Sequence, residues 1–200
     1  PNYRGSTGRG VEFSKLGQAD AAGKEFDDLV DGIDHLVEIG LVDKDKVGIT
    51  GGSYGGYASA WGATFYSERY AASVMFVGIS DNVSKVGTTD IPDFAEAYFG
   101  GKPWDDDVNY LRHAPEHFAG NAKTPSLIQH GEEDVRVPLS QGTTFYRALE
   151  LNGVHVEMVI YPREPHGLRE PKHIRHAMER NLQWFERWLS EDSATSDPDR

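Results

Sequence analysis

"GITGGSYGGYASAWG", residues 48–62, decides how the rest of the chain is read. Gly51, Gly52, Gly55 and Gly56 crowd around one serine, Ser53, and a small-residue stretch follows at once. Glycine loses more backbone entropy on folding than any other residue, so such a cluster signals tight geometry or the close approach of another group. Residues 51–55 fit the pattern G-x-S-x-G, a weak signal taken alone. Its setting sharpens it. A short apolar run, "KVGIT" (46–50), comes before, and a helix is expected after it, from about Tyr54 to Tyr66. A strand turning sharply into a helix is the context of a nucleophile elbow. There the first helical N–H groups, that of Tyr54 among them, face the place where an oxyanion develops. The competing interpretation is a glycine-rich turn closed by a capping serine.

Outward from this stretch, strands and helices alternate. Ala21–Ile39 is expected to be helical, with Phe26, Leu29, Val30, Ile33, Leu36 and Val37 forming one apolar stripe. "SVMFVGI" (73–79), "SLIQH" (126–130) and "VHVEMVIYP" (154–162) read as buried strands. Short helices are expected in "PDFAEAYFG" and "NYLRHAPEHF", and a longer one over Leu139–Leu151. A last helix starts near Pro171, with Ile174, Ala177, Met178, Leu182, Phe185, Trp188 and Leu189 as its buried stripe. This alternation predicts an α/β fold with a parallel sheet covered on both faces. Residues 1–189 read as one domain and 190–200 as a disordered polar tail.

Composition excludes several functions. The 200 residues contain 20 Lys plus Arg against 32 Asp plus Glu, a formal net charge of −12. That balance argues against nucleic acid or an anionic membrane surface as partner. No apolar run is long enough to span a bilayer. The absence of cysteine removes disulfides, cysteine-ligated zinc and thiol nucleophiles, and leaves the chain indifferent to redox compartment. "GSTGRG" (5–10) follows no apolar strand and opens no helix, so it does not read as a phosphate-binding loop.

A serine hydroxyl needs a base, and the base an orienting acid. In this type of fold their chain order is serine, acid, histidine. "SLIQH" runs into a loop carrying Glu132, Glu133 and Asp134, and residue chemistry alone does not choose among the three. "VHVEMVIYP" runs into "REPHGL", which puts His166 where the base belongs. His130 precedes the acids and has the wrong order for the base. His35, His155, His173 and His176 sit on helices or a strand. His113 and His117 are four apart, but Pro115 lies between them and no third ligand is evident, so no metal is expected.

Together, "NYRGSTGRG", "GITGGSYGGY", "HGEEDVRVP" and "YPREPHG" resemble the catalytic domain of the prolyl oligopeptidase family of serine peptidases. The acylaminoacyl-peptidase and dipeptidyl-peptidase-like branches are the nearest, and the resemblance runs from Asn2 to about Leu189. It implies an α/β-hydrolase fold and a peptidase that cleaves short peptides through an acyl-enzyme, with no cofactor. It assigns Ser53 as nucleophile, Asp134 as acid and His166 as base. Tyr54 would supply one oxyanion N–H and line the pocket for the residue before the cleaved bond, and Arg136 would hold a substrate carbonyl.

The resemblance also places upstream of Pro1 a second oxyanion donor, the early strands of the sheet and a gating β-propeller. Without those strands "KVGIT" becomes an apolar edge, which predicts self-association of the 200-residue chain, a homo-oligomer included. "SDNVSKVGTTD" (80–90) has no aromatic residue where proline-specific relatives have them, an expectation against strict proline specificity. A carboxylesterase-type hydrolase and a non-catalytic binding module on the same scaffold are the alternatives.

Overall fold

Apolar residues on both faces of a strand call for cover on both faces, and the second and third strands show this most fully. The computed structural model describes residues 2–105 and 107–190. Its sheet has four parallel strands in the order β1 (Gly48–Gly52), β2 (Ala72–Phe76), β3 (Ser126–Gly131) and β4 (Val156–Tyr161). Successive side chains of β2 and β3 point to opposite faces. Met75 and Ile128 join Ala60, Ala63, Phe145 and Leu149 in one core cluster. Val74 and Leu127 join Trp184, with Phe185, Trp188 and Leu189 packed against them, in the other.

The helices, in chain order, are α1 (Val11–Ser14), α2 (Lys24–Glu38), α3 (Tyr54–Thr64), α4 (Asn82–Thr88), α5 (Asp93–Phe99), α6 (Asp107–Arg112), α7 (Leu139–Leu151) and α8 (Pro171–Leu189). α3 and α7 cover one face and α8 the other. α2 packs on α3, where Phe26 meets Tyr57 edge to face at 5.4 Å. All loops at the carboxyl ends of the strands therefore open at one end, where sites form in open α/β sheets.

Several boundaries differ from expectation, each for a local reason. α2 starts at Lys24 rather than Ala21, because Ala22 has φ 53° and cannot belong to a right-handed helix. β2 stops at Phe76, because Val77 has φ 41°. β1 lies two residues later than "KVGIT" and is half-exposed rather than buried, since it is an edge strand of the sheet. On α8 the expected buried stripe is partly wrong: Ile174, Met178 and Leu182 face outward, and Trp184 is the side chain that is fully covered. α4 falls in a polar stretch where no helix was expected. Asp81 caps it, its carboxylate accepting the N–H groups of Val83 and Ser84. Ser190 ends α8, and the polar-tail reading falls on 191–200, outside the described residues. Among the described residues no helix is long and apolar enough to cross a membrane.

Candidate active site

The glycines around Ser53 let backbone touch backbone. A Cβ on Gly51 would meet the Gly55 backbone at 2.6 Å, and one on Gly56 would meet the Phe76 carbonyl at 2.5 Å and Gly78 Cα at 2.7 Å. β1 can therefore turn into α3 within a single residue. That residue is Ser53, held at φ 59° and ψ −116° with its N–H donated to the Phe76 carbonyl at 3.0 Å. A non-glycine residue in such a conformation costs of order 1–3 kcal/mol and persists only where its surroundings enforce it.

Ser53 Oγ lies 2.8 Å from His166 Nε2, and His166 Nδ1 lies 2.8 Å from Asp134 Oδ2. A carboxylate only accepts, so Nδ1 carries the proton and Nε2 is free to accept from the serine hydroxyl. Of the three acids left open by the sequence, Asp134 alone reaches the histidine. It is buried, while Glu132 and Glu133 are exposed. Glu132 instead accepts the Arg163 N–H at 3.0 Å. Asp134 Oδ1 also accepts the N–H groups of Arg136 and Val137, both at 2.9 Å. Burial works to raise the Asp134 carboxyl. Hydrogen bonding by His130, His166 and the Val137 N–H outweighs it and holds the group far below the usual carboxylate range.

Two supporting residues were not expected. His130, fully buried at the end of β3, donates from Nε2 to the Val137 carbonyl at 2.8 Å and lies 3.5 Å from Asp134 Oδ2. The one Nε2–H is shared between them, so His130 braces the acid loop through both its backbone and its carboxylate, more closely through the backbone. Glu164, also buried, accepts the N–H groups of Arg169 (2.7 Å) and Glu170 (2.9 Å) and bonds His173 Nδ1 at 2.8 Å. Its own carbonyl accepts the Glu133 N–H at 2.9 Å. Glu164 thus ties the His166 loop to α8 and to the Asp134 loop. Burial works to raise its carboxyl, and its N–H and histidine donors bring it below its ordinary value. Glu164, Glu170 and His173 offer ligand atoms within 4.8 Å of one another. The donors already on Glu164 account for that cluster as a loop clasp. His113 bonds the Asn109 carbonyl at 2.8 Å, and His117 packs edge to face on Phe118. Position in the sequence carried no signal for either supporting residue, because each acts across loops.

Tyr54 opens α3, so its N–H belongs to the first turn and has no acceptor within the helix. Its hydroxyl donates to Glu25 Oε1 at 2.6 Å. Glu25 is buried, and burial, opposed by that hydrogen bond, raises its carboxyl. The Tyr54 ring packs against Phe26 (5.6 Å), Phe94 (6.3 Å) and Tyr98 (5.7 Å). Residues 80–90 supply no aromatic residue, as read, yet α5 brings two to the same place. Arg136 is half-exposed, and its Nε and Nη2 bond Asp90 at 2.5 and 3.1 Å.

A parallel sheet with a strained serine at a strand-to-helix turn, and an acid and a histidine from the next loops in that order, defines an α/β-hydrolase. The sequence pattern described as "Prolyl oligopeptidase family" matches residues 1–192, and the chain belongs to that family. Dipeptidyl-peptidase 5 of Porphyromonas gingivalis is 32% identical over 193 residues, 94% of this chain and 28% of that protein. The acylamino-acid-releasing enzyme of Arabidopsis thaliana is 29% identical, over 94% of this chain and 26% of its own. Among solved structures, Pyrococcus horikoshii acylaminoacyl peptidase superposes with a TM-score of 0.89 at 31% identity, covering 95% of this chain and 32% of that one. An acylaminoacyl peptidase in complex with Z-Gly-Gly-Phe-chloromethyl ketone gives 0.88 at 32% identity, over 94% and 31%. The chain thus spans between a quarter and a third of the length of these relatives.

Proposed function

We propose that the chain is the catalytic unit of a serine peptidase acting on short peptides through an acyl-enzyme. Residues 1–189 form that unit. Ser53 Oγ attacks the scissile carbonyl while His166 Nε2 takes its proton. His166 then returns the proton to the leaving amine. Asp134 holds the imidazole in the productive tautomer and stabilises its charged form. Water, activated by the same histidine, releases the acid. The Tyr54 N–H receives the developing oxyanion, an interaction of a kind worth about 10²–10³ in turnover. Arg136, with its Nη1 not taken by Asp90, receives a substrate carbonyl.

The observation that carries this reading is the unbroken line from Ser53 through His166 to Asp134, two contacts of 2.8 Å, at a serine held at φ 59°. The peptide-derived chloromethyl ketone held by one relative supports a peptide as substrate. A gating β-propeller companion belongs to the same proposal, supported by the much greater length of the relatives.

The test is covalent labelling with a fluorophosphonate probe, followed by turnover of a matched aminoacyl amide and ester. Labelling is expected in the unmodified chain and lost in both Ser53→Ala and His166→Ala. Labelling that survives Ser53→Ala overturns the assignment of the nucleophile. Turnover of the ester with none of the amide favours an esterase.

A further inference from the structure

One buried charge near Ser53 takes no part in that chemistry. Lys85, in α4, is 4% exposed. Its Nζ lies 4.8 Å from the centroid of the Phe94 ring, and among the described residues no hydrogen-bond acceptor pairs with it. Asp90, the carboxylate that acts on it electrostatically, is held by two donors of Arg136. Burial, with the positive charge of Arg136 adding to it and Asp90 opposing, pushes the Lys85 ammonium down to about 8. A charge so largely buried is costly to keep, since it has given up much of its water and gained no hydrogen-bond acceptor in exchange.

The surroundings say what would complete it. Lys85 lines one small cavity together with Tyr54, Tyr57, Ile79, Phe94 and Phe99. Tyr54 is the residue after Ser53, so the cavity shares a wall with the turn that carries the nucleophile. The polar groups of its wall are engaged elsewhere: Tyr54 Oη donates to Glu25, and Asn82 Nδ2 donates to Tyr57 Oη and to the His113 carbonyl. What remains is an aromatic box with one unpaired cation. Its free space is about 10 Å³, roughly that of a single water. A side chain therefore enters only as the Phe94 ring gives way, and it must offer the ammonium something better than that ring.

We propose that this cavity receives the side chain of the residue whose carbonyl Ser53 attacks, and that Lys85 selects an acidic one, aspartate or glutamate. The inference rests on the peptidase reading above and names its substrate class. A carboxylate gives Lys85 a charge-assisted hydrogen bond in place of a cation–π contact. A neutral isostere offers a weaker acceptor, and an arginine or lysine side chain meets like charge.

The test is a set of peptidyl amides with one fluorogenic leaving group, differing at the residue before the cleaved bond: Glu, Gln, Met and Phe. The quantity is the Glu to Gln ratio of kcat/KM, measured in the unmodified chain and in Lys85→Met. A ratio within one protein is insensitive to how much of that protein is folded. The expected ratio is about tenfold or more in favour of Glu in the unmodified chain, falling below one in Lys85→Met. A ratio of one or less in the unmodified chain, alongside turnover of Gln, Met or Phe substrates, overturns the inference and leaves the peptidase reading standing. So does a tenfold ratio that survives in Lys85→Met. Absence of both turnover and fluorophosphonate labelling overturns the peptidase reading and this inference with it.

Discussion

Two walls meet at Ser53, and they are finished differently. Along the wall of Asp134 and His166, each polar atom in the line has a partner already, from the Arg136 and Val137 N–H groups through the imidazole to the serine hydroxyl. Along the wall of Lys85 and Phe94, a buried ammonium lies over an aromatic ring and, among the described residues, has no hydrogen-bond acceptor. Groups that move protons gain from being fixed in advance, because reorganisation during reaction adds to the barrier. Groups that recognise gain from being incomplete, because only the right partner completes them.

The largest effect that can break this contrast is at the serine. Ser53→Ala is expected to lower kcat/KM by about 10⁴–10⁶ with the unfolding midpoint little changed, measured on one amide substrate. A much smaller loss would mean that the fully partnered wall does no chemistry.

Asp134→Asn follows, at about 10³–10⁴ in kcat/KM, since an amide can stabilise the wrong tautomer of His166. The same variant sharpens the contrast through stability. The native Asp134 carboxyl lies below its unfolded value of about 3.9, so its contribution is fully present above that value and fades as pH falls through the native one. Denaturation midpoints of the two proteins should therefore differ from neutral pH down to about 4 and converge below it. A gap that persists undiminished well below that point would assign the stability to something other than this ionisation.

Glu164→Gln comes next. Its carboxylate accepts from two N–H groups and a histidine, and an amide oxygen cannot serve all three. The loop carrying His166 should loosen, lowering kcat about 10–100-fold with KM nearly constant. A change in KM alone would move Glu164 from the first wall to the second.

Arg136→Ala should have the smallest consequence for folding. Its ion pair with Asp90 is half-exposed and screened by solvent, so the thermal midpoint should hardly move. The expected change is a rise in KM, read from initial rates, with labelling by the fluorophosphonate unaffected.

The first wall was legible in the sequence and the second was not, for a physical reason. A nucleophile elbow is local: Gly51, Ser53, Gly55 and Gly56 lie within six positions, and the strand and helix they join announce themselves by periodicity. The strand ends carrying Asp134 and His166 are equally local, and the helix expected over Leu139–Leu151 has those bounds. Asp134 could be preferred to Glu132 and Glu133 only by family resemblance, since side-chain reach is not written in adjacency. The box around Lys85 draws on α3, α4 and α5, elements brought together only by the fold. α4 itself gave no apolar pattern, being held by the Asp81 cap and by Gln141, whose Oε1 accepts the Ser80 and Asp81 N–H groups. The outward turn of Ile174, Met178 and Leu182 has a similar source: a helix with apolar residues over a wide arc leaves its orientation to the packing of its largest ring, here Trp184.

The close contacts among Gly51, Gly55, Gly56 and Gly78 carry a separate lesson. They are made by main-chain atoms, and the side chain of residue 53 has no part in them. Mount and reagent are therefore independent components. The mount tolerates almost no change, because any Cβ added at Gly51 or Gly56 strikes backbone that cannot yield. The reagent is interchangeable in principle: a thiol placed at position 53 would be presented at the same height, to the same imidazole, by an unaltered frame. In engineering terms the chain is a socket with a replaceable tool.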